Sequence, residues 1–549
     1  MTPTYFKRIS LLLIPFLTLG LMACSKGDSK SQVELGNEQS ILHLGNGTEI
    51  SDVDPHITTG MPEYHIQMAL FEGLVAKDPK TLEIIPAVAE SWTVSEDGTT
   101  YTFKIRDNAK WSDGDALTAQ DFVYSYHRAM MPALGNQYAY SLYILENAEA
   151  FHKGEISDFS QVGIHAIDDK TLEFKLIAPV PYFLKLLDHH SMFPVQQKTV
   201  EKFGAMDERG TKWTRAENFV GNGAYTIKEW TPNKIFIAEK NPNYWDADNV
   251  SIQQIYFYPV ELATTEERMF RAGQLHMTND VPLEKFAEYK TDAPDMLYTA
   301  PYYGTYFYRF NTENEALKDV RVRKALAMAL DRKAITERVT KSGEVPAYAL
   351  TPPDDYGYKA LAAIEYNPEK ARELLAEAGY PGGEGIPALE LMYNTLESHK
   401  KIALAVQQMW KTELGVDVTL QNQEWKVYLD RERTGNFQIS RAAWIGDYLD
   451  PSTFLEMFVT DGGNNKTNWG NARYDELINM AANTGDLDKR FEYFQEADQI
   501  LVDEVPIIPV YYYASKHLVH PSLKGINTNV MDYKPYKYMT LVPESGAAE

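Results

Sequence analysis

The segment Arg441 to Tyr448 gathers a cation, an aromatic side chain and an acid in the order Arg-Ala-Ala-Trp-Ile-Gly-Asp-Tyr. A carboxylate held out of water pairs with an ammonium group, and a guanidinium pairs with a carboxylate. Asp447 and Arg441 therefore have the chemistry to hold opposite charges of a ligand. Two ordinary alternatives remain open: Asp447 as a turn acid or helix cap before Pro451, and Arg441 as a surface or interdomain ion pair.

Catalytic motifs are absent from the sequence. It contains neither the Gly-x-Ser-x-Gly elbow of serine hydrolases nor the His-Glu-x-x-His helix of zinc peptidases. The adjacent acids Asp354 and Asp355 lie in a turn-like stretch with nothing to mark one as acid and the other as base. We therefore expect a protein that is not an enzyme, and a secreted hydrolase is the alternative that peptide cleavage assays would test.

Histidines are the remaining candidates for metal chemistry. His189-His190 and the pair His517 and His520 are accompanied by neither a cysteine nor a tight cluster of carboxylates. We therefore interpret them as surface histidines and expect neither a metal nor a cofactor.

The N-terminus has the pattern of an export signal. Lys7 and Arg8 precede an apolar run from Leu11 to Leu19, which is too short to span a bilayer, and Leu21-Met22-Ala23-Cys24 follows. The last four residues resemble a bacterial lipobox, which implies a signal peptide over 1–23, cleavage before Cys24 and lipidation of its thiol. An ordinary signal peptide that contains a cysteine is the alternative. The polar stretch after it predicts a lipidated Cys24 and flexible tether over 24–40, anchored to a membrane in the periplasm or at the cell surface.

Charge and cysteine content exclude several classes of protein. The net charge is −24, which argues against nucleic acid as a partner because phosphate binding needs a basic face. Cys24 is the only cysteine, so the fold has no disulfide and must rest on its own core. The chain of 549 residues is long enough for several domain-sized units.

Hydrophobic periodicity predicts an α/β protein. Strands are expected at 41–45, 100–105, 172–176, 388–392 and 416–420, and helices at 118–130, 319–339, 367–378 and 400–414. Thr118 and Asp121 form a capping-box pattern, and Asn367-Pro368 gives a cap followed by a first-turn proline. The strand–helix–strand order over 388–420 favours a partly parallel sheet.

Phrases spread over nearly the whole chain resemble the oligopeptide-binding lipoproteins of peptide ABC importers, solute-binding protein family 5, cluster C. They occur in the order of that family, at Phe71–Pro79, Ala109–Ser125, Pro179–Leu187, Gly221–Trp230, Asn241–Asp246, Asp319–Arg332 and Arg441–Pro451. The resemblance implies a two-lobed, hinged fold of the type II periplasmic-binding-protein class with an extra domain, three domains in all. Lobe I would comprise 41–71, 196–303 and 514–549, the extra domain 72–195, and lobe II 304–513. The hinge would close both lobes on the ligand.

The resemblance also implies a site. A clamp for peptides of any sequence must grip the backbone and the two charged ends. Asp447 would pair with the α-ammonium, Arg441 with the carboxylate of a short ligand, and His399 with that of a longer one. Further residues would pair with the ligand backbone or line side-chain pockets: Ala443, Ile445, Trp444, Asn394, Trp425, Thr59, Gly60, Met61, Tyr138, Tyr302 and Phe307. For the aromatic residues and His399, a purely structural role is the alternative.

Three positions depart from the family pattern. Thr59 stands where an acidic pocket residue is expected, Glu432 with Arg433 beside it where a basic one is expected, and Thr340 with Lys341 beside it where a lysine is expected. These changes leave ligand length and side-chain preference open. Murein peptides or dipeptides are alternatives to oligopeptides, and the implied partners are the permease subunits of an ABC transporter. We expect a monomer.

Overall fold

The computed structural model describes residues 30–353 and 357–542. Within these ranges the strands are, in chain order, β1 Ile41–Gly45, β2 Val75–Lys77, β3 Ile84–Pro86, β4 Ala89–Val94, β5 Thr100–Ile105, β6 Ile164–Asp168, β7 Thr171–Lys175, β8 Tyr225–Thr231, β9 Ile235–Lys240, β10 Gln254–Tyr258, β11 Leu297–Phe310, β12 Val345–Pro346, β13 Leu389–Asn394, β14 Val418–Gln423, β15 Ile439–Ile445, β16 Ile507–Leu518, β17 Leu523–Lys524 and β18 Thr540–Leu541. The α-helices are Gln32–Gln39, Met61–Leu70, Ala119–Met130, Ala148–His152, Phe183–Leu186, Gln197–Glu201, Ala263–Arg271, Leu283–Asp292, Val320–Met328, Arg332–Ala334, Pro368–Glu377, Glu397–Leu414, Trp425–Arg433, Ser452–Leu455, Ala472–Ala482 and Leu487–Glu504.

Three sheets organise the molecule. We call lobe I the part built on the sheet β1-β10-β9-β8, extra domain the part built on β4-β5-β7-β6, and lobe II the part built on β12-β16-β11-β15-β13-β14. Each sheet packs against its own cluster of buried apolar side chains, as a domain with an independent core does. Pairing is mixed: β1 with β10 and β13 with both β14 and β15 are parallel, and the other pairs within these three sheets are antiparallel. The α/β class expected from the periodicity is confirmed.

Two long antiparallel strands run between the lobes. One end of the β11–β16 pair packs on lobe I, where Leu518 joins the apolar cluster around Phe286 and its N–H donates to Thr278 Oγ1 over 2.9 Å. The other end forms the centre of the lobe II sheet. The β11–β16 register shifts between Pro301 and Thr305. A two-strand connection of this kind lets lobes rotate as rigid bodies about a few backbone positions.

The expected elements are found with two corrections. The Thr118 capping box with Asp121 begins the helix Ala119–Met130, and Asn367 caps the helix at Pro368. The single helix expected over 319–339 is wrong, because it ends at Met328 and Asp331 then caps a new turn by accepting from Ala334 N.

A tether through residue 40 is also wrong in its last part. The helix Gln32–Gln39 begins with a capping box between Ser31 and Glu34, and Val33 is buried. The signal peptide and Cys24 lie outside the described residues. In the ranges that the structure covers, no helix combines the length and apolarity that crossing a bilayer requires.

Asp498 gives lobe II a testable dependence on pH. It lies on the helix Leu487–Glu504, is buried, and accepts from Tyr358 Oη over 2.6 Å. Burial raises the pKa of Asp498 to about 7. Since this folded-state pKa exceeds the unfolded value of about 3.9, its stabilising contribution is complete below about pH 4 and is lost as the pH rises to about 7.

We therefore expect Asp498→Asn to become progressively more stable relative to the unmodified protein as the pH rises from 5 to 7. A neutral amide keeps an acceptor for Tyr358 without the ionisation cost, so the gain between pH 5 and pH 7 should be about 2 kcal/mol. Thermal unfolding at pH 5, 6, 7 and 8 measures it. Asp503→Asn is the control, because Asp503 lies on the same helix with 58% of its side chain exposed. A difference between Asp498→Asn and the unmodified protein that does not change with pH would contradict the assignment.

Candidate functional site

A cavity of about 570 Å³ lies between lobe II and the other two parts. Its lining includes Thr58 to Met61 from lobe I, Tyr138 and His189 from the extra domain, and Asn394, Trp425 and the segment 443–447 from lobe II. The volume is in the range of ligand sites that enclose a small molecule. A cavity with walls from all three parts exists only while they are closed on one another.

Strand β15 presents one open edge to this cavity. On one side it pairs with β11 from Gly304 to Phe310, and on the other with β13 only at Ile439 and Ser440. Beyond Ser440, β15 has no strand partner on the β13 side among the residues that the structure describes.

Two hydrogen bonds tell which backbone groups face the open edge. Gly446 N–H donates to Tyr303 O over 2.8 Å, towards β11, while Arg441 C=O accepts from Tyr428 Oη on the opposite side. Because backbone polar groups alternate along a strand, the N–H and C=O of Ala443 and Ile445 point away from β11, into the cavity. These are the groups that an added strand would pair with.

Asp447 follows the end of β15 and is held by the next turn. Its N–H donates to Thr453 Oγ1 over 2.9 Å, and that hydroxyl donates to Asp447 Oδ2 over 3.1 Å. Its Oδ1 lies 3.1 Å from Nε2 of His189, which the extra domain contributes. The side chain is 14% exposed. Burial raises the pKa of Tyr138 well above its usual value, and the negative charge of Asp447 adds to this effect.

Arg441 is a buried cation on the strand that leads to Asp447. Nη2 donates to Tyr513 Oη over 2.7 Å, Nη1 donates to Asn394 Oδ1 over 3.3 Å, and the guanidinium lies 4.8 Å from the centre of the Tyr306 ring. Nε has no hydrogen-bond partner. In the described part of the chain no carboxylate comes within ion-pair distance of Arg441, so its charge is compensated only by dipoles and an aromatic face.

Lys516 and His399 lie near Arg441 but differ from it. Lys516 Nζ contacts Glu344 Oε1 at 2.5 Å and Asp280 Oδ1 at 4.0 Å, so its charge is already balanced. His399 is buried in the first turn of the helix Glu397–Leu414, not on a loop. Burial lowers the pKa of His399 well below its usual value, and the positive charges of Arg441 and Lys516 add to this, so the imidazole is neutral at pH 7. Of Arg441, Lys516 and His399, Arg441 is thus the charged group that has no carboxylate within ion-pair distance among the described residues.

The lobe I segment 59–61 meets lobe II across the cavity. Gly60 is extended and Met61 begins a helix, and Thr59, Gly60 and Met61 all line the cavity. A Cβ on Gly60 would lie 2.8 Å from Trp425, which explains the need for glycine. Trp425 stacks on Tyr428 and donates from Nε1 to Glu63 over 3.3 Å.

All but one of the fourteen residues expected at the binding site line this cavity. Besides those described above, Trp444 and Tyr302 do so, and Trp444 Nε1 donates to Thr453 Oγ1 over 3.4 Å. The exception is Phe307, whose place in the lining is wrong: it is fully buried and packs against Phe458 in the core of lobe II. It lies opposite Ala442 on the sheet face away from Arg441 and Ala443.

The histidines interpreted as surface residues are mostly buried. His189 contacts Asp447, His190 Nε2 lies 3.0 Å from Thr58 O, and His517 Nε2 lies 3.0 Å from Asp532 Oδ2. All three line the cavity, and His520 is half-buried. The surface interpretation is therefore wrong. In the sequence, an apolar stretch is followed directly by Asp188, His189 and His190. This cluster of polar residues after an apolar stretch was the sequence signal that could have indicated a role in the cavity.

The extra domain contacts the segment that follows Asp447. Tyr182 stacks on Tyr448 with ring centres 5.1 Å apart and an interplanar angle of 3°, and its hydroxyl donates to Glu456 over 3.0 Å. Lys185 Nζ donates to Leu449 O over 3.0 Å. Together with the contact between His189 and Asp447, these interactions hold the Asp447 carboxylate in place. They exist only while the extra domain and lobe II are in contact.

Comparisons with solved structures support a closed state. The chain matches a structure of the Escherichia coli murein tripeptide binding protein MppA with a TM-score of 0.86, at 38% identity, covering 91% of this chain and 98% of that one. Against the unliganded open form of the same protein the TM-score is 0.61, with 92% and 98% of the chains covered and again 38% identity. Since the sequence is the same in both comparisons, the difference lies in how the lobes are arranged.

Sequence comparisons agree with the structural ones. The periplasmic oligopeptide-binding protein OppA of Salmonella typhimurium is 39% identical over 512 residues, which is 92% of each chain. The protein-family model described as bacterial extracellular solute-binding proteins, family 5 Middle, matches residues 83–466. On the strength of this match and of the two-lobed fold, the chain belongs to the bacterial extracellular solute-binding proteins of family 5.

Proposed function

We propose that this protein captures short peptides in the cavity between its lobes and delivers them to the membrane subunits of an ABC importer. The observation that carries the proposal is one arrangement: an acid at one end of an open strand edge and an uncompensated cation further along the same strand. Asp447 would hold the α-ammonium, the edge groups of Ala443 and Ile445 would pair with the backbone, and Arg441 would hold a carboxylate. These features suit what all short peptides share.

Native mass spectrometry of the purified protein tests this function. We expect bound masses that correspond to peptides of roughly two to five residues, exchanged by added tripeptide. Bound species that are not peptides, and that tripeptide does not displace, would contradict the proposal. The same spectra follow the fate of added peptide. Because the sequence carries neither a Gly-x-Ser-x-Gly elbow nor a His-Glu-x-x-His helix, we infer that the protein is not an enzyme and expect the peptide to remain intact.

Murein peptides are the second candidate ligand. The likeness to the Escherichia coli murein tripeptide binding protein favours them, since 38% identity extends over nearly the whole of both chains. Dipeptides remain a further alternative. Competition between an ordinary tripeptide and L-Ala-γ-D-Glu-L-Lys at equal concentration, read from the bound masses, discriminates between the two classes of ligand.

We infer further that the mature protein begins at a lipidated Cys24, is held at the outer side of a membrane, and acts as a monomer. The export signal and the single cysteine support the anchor. The mass of the mature N-terminal peptide decides this, because an acylated Cys24 is heavier than free cysteine by its lipid, and an unmodified N-terminus would contradict it. Sedimentation of the protein lacking the lipid tests for the monomer.

A further inference from the structure

The cavity contains a second group of charged residues, Arg309, Glu432, Arg433 and Lys466. We call this group the lower subsite. On β11, Tyr308 lies opposite Arg441 of β15. The next residue of β11, Arg309, lies opposite Ser440. Because successive side chains of a strand point to opposite faces, Arg309 lies on the sheet face away from Arg441. At the open edge of β15, the lower subsite therefore lies on one face of the sheet and Arg441 lies on the other.

The charges of the lower subsite do not cancel. Glu432 Oε1 is 3.6 Å from Arg309 Nε and accepts from Ser440 Oγ over 2.6 Å, while Arg433 Nη2 contacts Asp430 Oδ1 at 2.5 Å. Lys466 Nζ donates to the backbone oxygen of Gly463. Three cations thus face two carboxylates, and Arg209 adds another positive charge to the same cavity.

Two further observations indicate that this subsite lacks an anion. The side chain of Arg309 is 9% exposed, and its Nε has no hydrogen-bond partner in the part of the chain that the structure describes. Burial lowers the pKa of Lys466 to about 8, and the positive charge of Arg309 contributes to this. An added carboxylate would supply both an acceptor for Arg309 and a counter-charge for Lys466.

A peptide paired with the edge of β15 directs its side chains alternately to the two faces of the sheet. Side chains on the face of Arg309 are then directed towards the lower subsite, and those on the other face are directed towards Arg441. We propose that the lower subsite selects a side-chain carboxylate, so that the preferred ligands of this protein carry an acidic residue. The inference rests on the proposed function. It goes further by naming a preferred side chain, because contacts to the backbone and the chain ends are the same for every peptide.

Two sources could supply this carboxylate: an α-linked Glu or Asp in an ordinary peptide, or a γ-linked Glu of a murein peptide, whose α-carboxylate is then a side group. The experiment therefore has three arms, each measured by isothermal titration calorimetry. The first compares Ala-Glu-Ala with Ala-Gln-Ala and Ala-Lys-Ala. The second moves the varied residue to the third position of a tetrapeptide, since register decides which side chain enters the subsite. The third uses L-Ala-γ-D-Glu-L-Lys and its α-amide.

We expect the carboxylate ligand to bind on the order of ten- to a hundredfold more tightly than its amide in at least one arm, with lysine weakest. Lys466→Met should reduce the ratio of acid to amide affinities severalfold, and Glu432→Gln should increase it. The two variants change the ratio in opposite directions, so loss of structure cannot imitate the result. Lys411→Met is the control, because Lys411 is exposed and pairs with Asp417 outside the cavity.

Equal affinity for acid, amide and lysine ligands in all three arms would overturn the lower subsite and leave peptide capture standing. A preference for acid that neither Lys466→Met nor Glu432→Gln alters would also overturn it. Failure of every ligand to bind would overturn the proposed function, and the subsite with it.

Discussion

Asp447→Asn should lower the affinity for a tripeptide by on the order of a hundred- to a few-thousandfold. An ammonium group transferred into this cavity leaves water and needs a full negative charge beside it, and breaking a buried charge pair costs about 3–5 kcal/mol. The substitution keeps the size of the side chain and one acceptor oxygen, so the loss would report the charge. Isothermal titration calorimetry with trialanine measures it.

The geometry leaves room on Asp447 for a ligand. A carboxylate offers about four lone-pair positions, of which the hydroxyl of Thr453 takes one on Oδ2 and the imidazole of His189 takes one on Oδ1. Two acceptor positions remain, and Asp447 lines the cavity together with Tyr138. The bound ammonium therefore adds to the existing contacts and need not displace them.

A double-mutant cycle separates the ammonium interaction from general damage. N-acetylation of the tripeptide removes the same charge pair from the other side, so the two changes together should cost far less than the sum of their separate effects. Asp417→Asn is the matched control, since 81% of the Asp417 side chain is exposed. An affinity of Asp447→Asn within about threefold of the unmodified protein, or strictly additive losses in the cycle, would contradict the assignment.

Local signals in the sequence predicted much of the fold. The capping box at Thr118 and the Asn367-Pro368 pair act within one helical turn, so a sequence shows them directly. The parallel pairing of β13 and β14 followed from a helix between two apolar strands. The break after Met328 was missed because its cause, the Asp331 cap, competes with apolar helical spacing that continues through it.

The site could be predicted where its residues are neighbours in sequence. Arg441 lies on β15 and Asp447 lies in the turn directly after it, so the sequence alone shows that the two side chains are near each other. Arg309 and Lys466 reach the cavity from other elements of lobe II, and His189 reaches it from the extra domain, so only the tertiary structure brings them near Asp447 and Arg441. Phe307 was misplaced because β11 is buried on both faces from Tyr303 to Phe310, so no alternation of polar and apolar residues tells which face meets the cavity.

Arg441→Met should weaken binding of tripeptides by about ten- to a hundredfold without lowering the stability of the ligand-free protein. Hydrogen bonds to a charged group contribute about 1.5–3 kcal/mol, which sets the loss in affinity. In the ligand-free protein this guanidinium is buried with no carboxylate beside it, so its desolvation is not fully compensated. Methionine fills similar space without that cost.

Two readouts on the same variant test this separation of binding from stability. C-terminal amidation of the tripeptide removes the carboxylate, so Arg441→Met and the unmodified protein should bind the amide with affinities within about threefold of each other. Longer peptides should lose less, because we expect their carboxylates to lie beyond the reach of Arg441, nearer His399. A midpoint of thermal unfolding well below that of the unmodified protein would show that Arg441 is structural. Equal losses for the acid and the amide would show that it does not meet the carboxylate. The expected result is a lowered affinity with an unchanged or raised midpoint of thermal unfolding. It would mean that the unfavourable burial of the Arg441 charge in the ligand-free protein is compensated when a ligand supplies the missing anion.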